Sequence, residues 1–181
     1  MAKKIITISR EFGSGGRFIG EEVAKKLGIA YYDKNIINHI AEESGLSPDY
    51  IQEKAELSPK KGLFAYALVG RDITGKSVED MVYEAQRKVI MEIAEKENCV
   101  IVGRNADFIL KDRKDVLNVF IHGSIPEKVR RICSLYNVTE VDAIKMINDI
   151  DKRRRTNYNF YTEQKWGMAE NYPMSLNSSV L

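Results

Sequence analysis

The stretch "ISREFGSGGRFIG", residues 8–20, decides the fold, because it places four glycines in eight positions directly after an apolar run. The run at 5–8 is rich in β-branched residues, which is typical of a buried strand. Apolar residues then recur every four positions over 19–27, which predicts one face of a helix. A second short strand is predicted at 30–32. The chain therefore opens with a predicted strand, glycine loop, helix and parallel strand.

The rest of the chain continues the alternation of helices with apolar strands. Gly28 is expected as a helix C-cap, and Ser47-Pro48 as a helix start. Residues 139–142, Thr-Glu-Val-Asp, resemble a capping box that opens another helix. We predict an α/β domain with a parallel sheet. After the opening unit, a mostly helical segment is expected at 34–97, with a long helix over 78–93. The remaining predicted elements are strands at 99–103 and 116–121, a helix around 129–133, a helix from 139 into the basic run, and a last strand at 174–177.

Composition narrows the class of protein. A chain of 181 residues with 44% hydrophobic and 30% charged residues is typical of one globular domain. No apolar segment approaches 18 residues, so no membrane span is predicted, and a cytoplasmic location is expected. Two cysteines and two histidines make a disulfide or zinc site improbable. The net charge of +2 disfavours a general nucleic-acid binder.

The glycine loop has two interpretations that the residues alone leave open. Glycines between a strand and a helix N-terminus let bare amides approach a phosphate, which makes Gly13, Ser14, Gly15 and Gly16 candidate contacts. A plain tight turn is the alternative. The phosphate-loop pattern G-x-x-x-x-G-K-[ST] is not met, because Arg17 stands where lysine would, and the next residue, Phe18, replaces the hydroxyl.

A second stretch, "GRDITGKS" at residues 70–77, matches that phosphate-loop pattern completely. The pattern requires a strand before it, whereas the preceding residues 63–69 read better as a helix. We therefore interpret 70–77 as an exposed basic turn, from which Arg71 and Lys76 could face an anionic substrate.

The basic run Lys152–Arg155 is expected on the last turn of a helix. There it is either a solvated run that complements the helix dipole, or a source of arginines that close over a phosphoryl group. The aromatic residues that follow in 156–171, a segment expected to be irregular, either stack on a base or pack a lid against the core.

Four segments resemble the cytidylate-kinase-like branch of the P-loop nucleoside monophosphate kinases. They are "ITISREFGSGGRFIGEEVAKKLGIAYYD", "CVIVGRNADFIL", "LNVFIHGSIPEKVRRI" and "DKRRRTNYNFYTEQKWGMAENYPMSLNSS". The resemblance implies a P-loop kinase-like three-layer sandwich in a single domain, 1–181. It also implies a core at 1–33 and 98–151, a helical NMP-binding insert at 34–97, a lid at about 152–171 and a last strand at about 172–178.

The resemblance further implies a kinase that moves the γ-phosphoryl of ATP, with Mg²⁺, to a nucleoside monophosphate, CMP or dCMP first. Arg17, Arg153 and Arg154 are then the expected catalytic residues, and the loop from Gly13 to Arg17 the donor site. No metal-ligating residue is assigned: Phe18 cannot hold Mg²⁺, so a ligand would have to come from elsewhere, such as Ser14, Asp33 or a water network. One departure concerns the acceptor, because Gly103-Arg104-Asn105 stands where cytidylate kinases typically show Gly-Arg-Asp.

Asp33, Arg71 and Arg104 are the candidate substrate contacts. Asp33 and Arg104 follow predicted parallel strands, and ligands bind at the carboxyl ends of such strands. For Asp33 a helix-capping role is equally plausible. For Arg104 the alternative is an ion pair with Asp33 or Asp107, and Asp107 is itself a possible N-cap. The rival function is a catalytically silent module that binds a nucleotide or another anion, and RNA binding is disfavoured by the low net charge.

Overall fold

The computed structural model describes residues 4–49, 51 and 78–180. Within these residues the strands are β1 Ile5–Arg10, β2 Ala30–Tyr32, β3 Cys99–Val102, β4 Val116–His122 and β5 Met174–Asn177. The helices are α1 Gly16–Leu27, α2 Ile36–Ser44, α3 Val78–Lys96, α4 Ala106–Ile109, α5 Ile125–Tyr136 and α6 Glu140–Thr162, with a 3₁₀ turn at Ala169–Asn171.

The five strands form one parallel sheet in the order β2-β3-β1-β4-β5. The predicted α/β class and the strand–loop–helix–strand opening are thereby confirmed. Because all strands run the same way, the residues that follow β1, β2 and β3 meet at one edge of the sheet. That edge carries the glycine loop, Asp33 and Arg104, and it is where ligands bind in open α/β sheets.

Helices cover both faces of the sheet, which gives three layers. Helix α1 packs through Ala24 on a cluster that includes Ile8 and Val102. Helices α2, α3 and α4 share a second cluster with residues such as Ile101 of β3. A strand buried on both faces needs apolar residues throughout, and all four residues of β3 are fully buried.

Several predicted helix ends are confirmed. Gly28 caps α1 in the left-handed conformation, at φ 63°. Thr139 caps α6, since its hydroxyl accepts the Asp142 N–H at 3.2 Å. Pro48 begins a helical stretch in which the Ile51 N–H donates to the Ser47 carbonyl at 3.1 Å.

The predicted end of the last helix is wrong. Helix α6 continues to Thr162, so Arg153–Arg155 lie mid-helix, and residues 156–162 are helical rather than irregular. Buried residues extend the inward face beyond the basic run: the Tyr158 hydroxyl bonds to Asp107, and the Thr162 hydroxyl donates to the Tyr158 carbonyl. The helix-dipole interpretation of the basic run therefore does not apply.

The basic turn at 70–77, with Arg71 and Lys76, lies outside the described residues. The division into core, insert and lid stays a prediction. No helix within the described ranges is long and apolar enough to span a membrane.

Candidate active site

The glycine loop turns twice through the left-handed region. Gly13 and Gly15 have φ values of 81° and 78°, which strain any other residue. Ser14 is fully buried between them, and its hydroxyl donates to the Glu11 carbonyl at 2.9 Å. Gly16 is required for a different reason, because a Cβ there would lie 2.7 Å from Cβ of Arg10. Gly16 thus lets α1 start directly against β1.

This loop leaves several amides without a protein acceptor. Across the described residues, the N–H groups of Gly13, Gly15, Arg17 and Phe18 donate no hydrogen bond to the protein. Successive amides around left-handed residues, at the start of a helix, form a concave site for an anion. The geometry therefore has the form of a phosphate-binding nest.

The nest opens into a hollow of about 240 Å³ between the loop, α5 and α6. Its lining combines cationic side chains with apolar and aromatic ones, and it includes the carboxylate of Glu11, which is paired with Lys128. Such a combination suits a ligand that carries both phosphate groups and a planar ring. The cationic side chains are Arg10, Arg17, Arg131 and Arg154, and the apolar ones are Phe12, Phe18, Ile132, Leu135 and Tyr136.

Arg131 is a site residue that the sequence reasoning missed. It projects from α5 and donates from Nη1 to the Gly13 carbonyl. Its guanidinium carbon lies 3.3 Å from where a Cβ of Gly15 would be. The sequence does show that Lys128 and Arg131, three residues apart, share one face of a predicted helix. It does not show that this face packs against the glycine loop.

Of the basic run on α6, Arg154 lines the hollow and Arg153 does not. Arg154 donates from Nη1 to the Arg10 carbonyl at 3.1 Å and lies 3.8 Å from Asp151. Residues on the inward face of α6 recur every three or four positions, which explains why Arg154 lines the hollow and Arg153 does not. Its members are Ala143, Ile147, Asp151, Arg154, Tyr158 and Thr162.

A buried ionic cluster lies under the loop. Lys128 is 3% exposed, and its Nζ contacts Glu11 at 2.9 Å and Asp151 at 3.5 Å. Asp151 also accepts the Phe12 N–H at 2.7 Å. Desolvation by burial raises the pKa of Asp151, although its cationic neighbours oppose the shift. Because Lys128 lies outside the lining of the hollow, it does not replace the missing loop lysine. Its contacts with Glu11 and Asp151 instead hold the loop against α5 and α6.

Arg17 and Asp33, which the sequence placed in different roles, form an ion pair. Arg17 Nε lies 2.6 Å from Asp33 Oδ2, and Asp33 is 6% exposed. Partial burial alone would lower the pKa of Arg17, but the charge and hydrogen bond of Asp33 raise it overall. Burial and the charge of Asp33 raise the pKa of the adjacent Tyr31 to about 12.

A second, much smaller hollow of about 10 Å³ lies beside Arg104. Arg104 and Asn105 both have positive φ, at 61° and 55°, and the Arg104 carbonyl accepts from the buried Gln86 Nε2 at 2.8 Å. The second hollow shares two of its lining residues, Arg10 and Arg154, with the first. The two hollows are therefore neighbours along the carboxyl edge of the sheet.

Asp107 is not the N-cap of α4, because Asn105 occupies that position. Instead, buried Asp107 accepts a hydrogen bond from the Tyr158 hydroxyl at 2.8 Å. Desolvation raises the pKa of Asp107, and it also raises that of Tyr158. Tyr158 therefore packs the end of α6 onto the core.

The other aromatic residues that follow the basic run make packing contacts. The Tyr161 ring stacks on Tyr83 of α3 with centroids 4.1 Å apart. The Trp166 ring meets Phe120 edge-on at 5.4 Å. Tyr161 thus packs on α3, whereas Trp166 and Tyr158, besides their packing contacts, also line the second hollow beside Arg104.

Comparison with known proteins identifies the group to which the chain is related. A model of the cytidylate kinase-like family matches residues 5–180. The chain belongs to the cytidylate kinase-like family. The expected family and the kinase-like fold are thereby confirmed. Comparison with curated protein sequences found no match.

Solved structures agree on the fold. An uncharacterized protein from Eubacterium ventriosum is 28% identical with a TM-score of 0.75, over 99% of this chain and 90% of that chain. Shikimate kinase from Bacteroides thetaiotaomicron is 19% identical with a TM-score of 0.53, over 97% and 86%. A gluconokinase from Sinorhizobium meliloti is 12% identical with a TM-score of 0.51, over 98% and 83%. The two kinases share the fold with this chain.

A bound Mg²⁺ ion has little support from the protein itself. No group of three or more His, Cys, Asp or Glu side chains in the described part of the chain could hold a metal ion. Of the two ligands considered from the sequence, Ser14 is buried against the Glu11 carbonyl and Asp33 is paired with Arg17. The described residues therefore do not fit a resident magnesium ion.

Proposed function

We propose that this chain is a phosphotransferase that moves the γ-phosphoryl of ATP to a small acceptor. The observation that carries the proposal is the nest of amides at Gly13, Gly15, Arg17 and Phe18 that donate to no protein acceptor within the described residues, beside the hollow that Arg17, Arg131 and Arg154 line. Phosphoryl transfer asks mainly for positioning and charge neutralisation, and this arrangement offers both.

The proposed donor site is the loop itself. Gly13, Ser14, Gly15 and Gly16 shape the nest, whose amides and the Arg17 guanidinium would hold the ATP phosphates. The apolar side chains around Tyr136 would contact the nucleobase. Because the described residues do not build a magnesium site, the ion would arrive already bound to the ATP phosphates.

Arg154 is the proposed cation over the transferring phosphoryl group. It lines both hollows, so one side chain reaches from the donor side to the acceptor side. Arg153, expected from the resemblance to act with it, has weaker support because it lies outside the lining of both. The segment at about 152–171, as a lid, would exclude water during transfer.

The proposed acceptor site adjoins Arg104 at the end of β3. A nucleoside monophosphate, with CMP or dCMP as the first guess, follows from the family and carries the anionic group that arginines there would bind. Asp33 and Arg71 were expected to share this role. The helical segment at 34–97 would form the rest of the site, as the NMP-binding insert.

A catalytically silent nucleotide- or anion-binding module is the second candidate. It is favoured by the replacement of the loop lysine and hydroxyl by Arg17 and Phe18, and Phe18 is 54% exposed. Such a module would use the same nest without transferring a phosphoryl group.

The deciding experiment measures ADP release from ATP and Mg²⁺ with a panel of nucleoside monophosphates and small hydroxylated metabolites, alongside calorimetry with ATP alone. Release that depends on one acceptor is the expected result. ATP binding without transfer to any acceptor would instead identify the silent module. Absence of both binding and transfer by folded protein would overturn both candidates.

A further inference from the structure

The pair formed by Arg17 and Asp33 is held rigidly on both sides. The Asp33 N–H donates to Asn35 Oδ1 at 2.9 Å, and Asn35 Nδ2 donates to the Tyr31 carbonyl at 3.3 Å. The Tyr31 hydroxyl donates to the Arg17 carbonyl at 3.2 Å. The carboxylate and the arginine backbone are therefore fixed relative to each other before any ligand arrives.

The contact uses only one edge of the guanidinium. Asp33 accepts the hydrogen bond of Nε, whereas Nη1 and Nη2 contact no carboxylate in the described part of the chain. Arg17 also lines the hollow into which the nest opens, and its side chain is 47% exposed. A guanidinium carries five N–H donors in one plane, so it can serve a carboxylate and a phosphate at once.

A lysine at position 17 would behave differently. Its single ammonium is a point charge, and Asp33 would hold it away from a phosphate or compete for it. A lysine here would place its one charged group on Asp33, whereas arginine pairs with Asp33 through Nε and keeps its Nη1–Nη2 edge for a phosphate.

We infer that Asp33 is a positioning residue for Arg17, and that the two together replace the missing loop lysine, with the Nη1–Nη2 edge binding the terminal phosphates of the donor. This inference rests on the proposed function only in taking the hollow as the phosphate site. It also assigns Asp33 to the donor side and not to the acceptor, where the sequence had placed it.

The test is calorimetric titration of the full chain with inorganic tripolyphosphate and with ATP, which needs no turnover. Arg17→Ala and Asp33→Ala should each weaken tripolyphosphate binding by about tenfold or more, since each removes or misplaces a charge-assisted hydrogen bond. The double variant should be no weaker than Arg17→Ala alone, because the two residues act as one unit. Arg130→Ala, which removes an exposed arginine paired with Glu127 on α5, is the matched control and should bind normally.

Two further variants separate positioning from a structural role. Asp33→Asn keeps an oxygen that accepts a hydrogen bond from Arg17 Nε, so it should lose less affinity for tripolyphosphate than Asp33→Ala. It can also be measured if the alanine variant does not fold. Arg17→Lys should bind poorly on its own, and Arg17→Lys with Asp33→Asn should recover affinity, because the ammonium is then released to the phosphate.

Stronger binding by Asp33→Ala would overturn the inference, since it would make Asp33 a competitor for Arg17. Unchanged binding by Arg17→Ala, or additive losses in the double variant, would overturn it as well. If wild-type protein binds but never transfers a phosphoryl group, the kinase proposal fails and this inference stands. If wild-type protein binds neither probe, both fail.

Discussion

The Tyr158 hydroxyl donates to Asp107 Oδ2 at 2.8 Å, and this hydrogen bond joins helix α6 to the short helix after β3. Both side chains are buried. Arg154 lies one turn before Tyr158 on the same face of α6. The hydrogen bond therefore also helps to fix the position of Arg154 at the carboxyl edge of the sheet.

The buried Asp107 carboxyl predicts a specific dependence of stability on pH. Because desolvation raises its pKa in the folded chain, the folded state holds this proton more tightly than the unfolded state does. Its contribution to stability is complete below the unfolded pKa of about 3.9 and declines as pH rises toward the raised folded value. Asp107→Asn cannot titrate, so the variant should gain stability relative to wild type over the pH range above about 4. Urea unfolding across this range measures the difference, and a difference independent of pH would contradict the prediction.

The start of α1 predicts that Gly16→Ala destabilises the fold. The added Cβ would lie 2.7 Å from Cβ of Arg10, which cannot move without β1, so we expect a loss of about 1–3 kcal/mol. Gly20→Ala is the matched control in the same helix. Its Cβ would meet only side-chain atoms, Ile8 Cδ1 at 3.0 Å and Val102 Cγ2 at 3.2 Å, which can shift without moving a strand, so its loss should be smaller than that of Gly16→Ala. Equal melting temperatures for the two variants would show that Gly16 is not a packing position.

The ionic cluster under the loop predicts that Lys128→Met is strongly destabilising. The variant leaves Glu11 and Asp151 without their shared cation, and breaking a buried pair from one side costs about 3–5 kcal/mol. Lys88→Met removes an exposed lysine that pairs with Glu43 at 2.7 Å, and it should leave the melting temperature nearly unchanged. Thermal unfolding of the two variants compares them directly. A small effect at Lys128 would mean that the loop is fixed by other contacts.

The periodicity of α6 predicts unequal effects along the basic run. Once an acceptor is known, Arg154→Ala should lower kcat by about a thousandfold, the scale seen when a cation on the transferring phosphoryl group is lost. Arg153→Ala should lower it less, because Arg153 lies outside both hollows. Arg155→Ala, at an exposed position, serves as the control. If Arg153→Ala lowers kcat more than Arg154→Ala does, Arg153 and not Arg154 faces the transferring phosphoryl group.

Much of the fold was predictable from the sequence, because the central strands β1 and β3 are largely buried and read as short apolar runs between helical patterns. The bounds of the edge strands β2 and β5, which are partly exposed, and the cap at Thr139 were predicted correctly as well. The end of α6 was missed because Tyr158 and Thr162 look like part of a polar, aromatic segment. Their role becomes clear only when Asp107 is placed opposite Tyr158.

The candidate site was harder to predict because it depends on contacts between distant segments. The glycine loop and Arg154 were found from motif and resemblance. Arg131 was missed, since its role arises from the packing of α5 on the loop. The pairing of Arg17 with Asp33 joins residues 16 positions apart, and only the order of the strands brings them together.

The contact between Trp166 and Phe120 makes the far end of α6 observable in solution. Trp166 is the single tryptophan of the chain, and it lies only a few residues beyond that helix. A rigid rotation of α6 that moved Arg154 would also disturb the environment of this indole. Intrinsic fluorescence therefore gives a label-free signal for any movement of α6, and stopped-flow mixing with nucleotide would time such a movement separately from phosphoryl transfer.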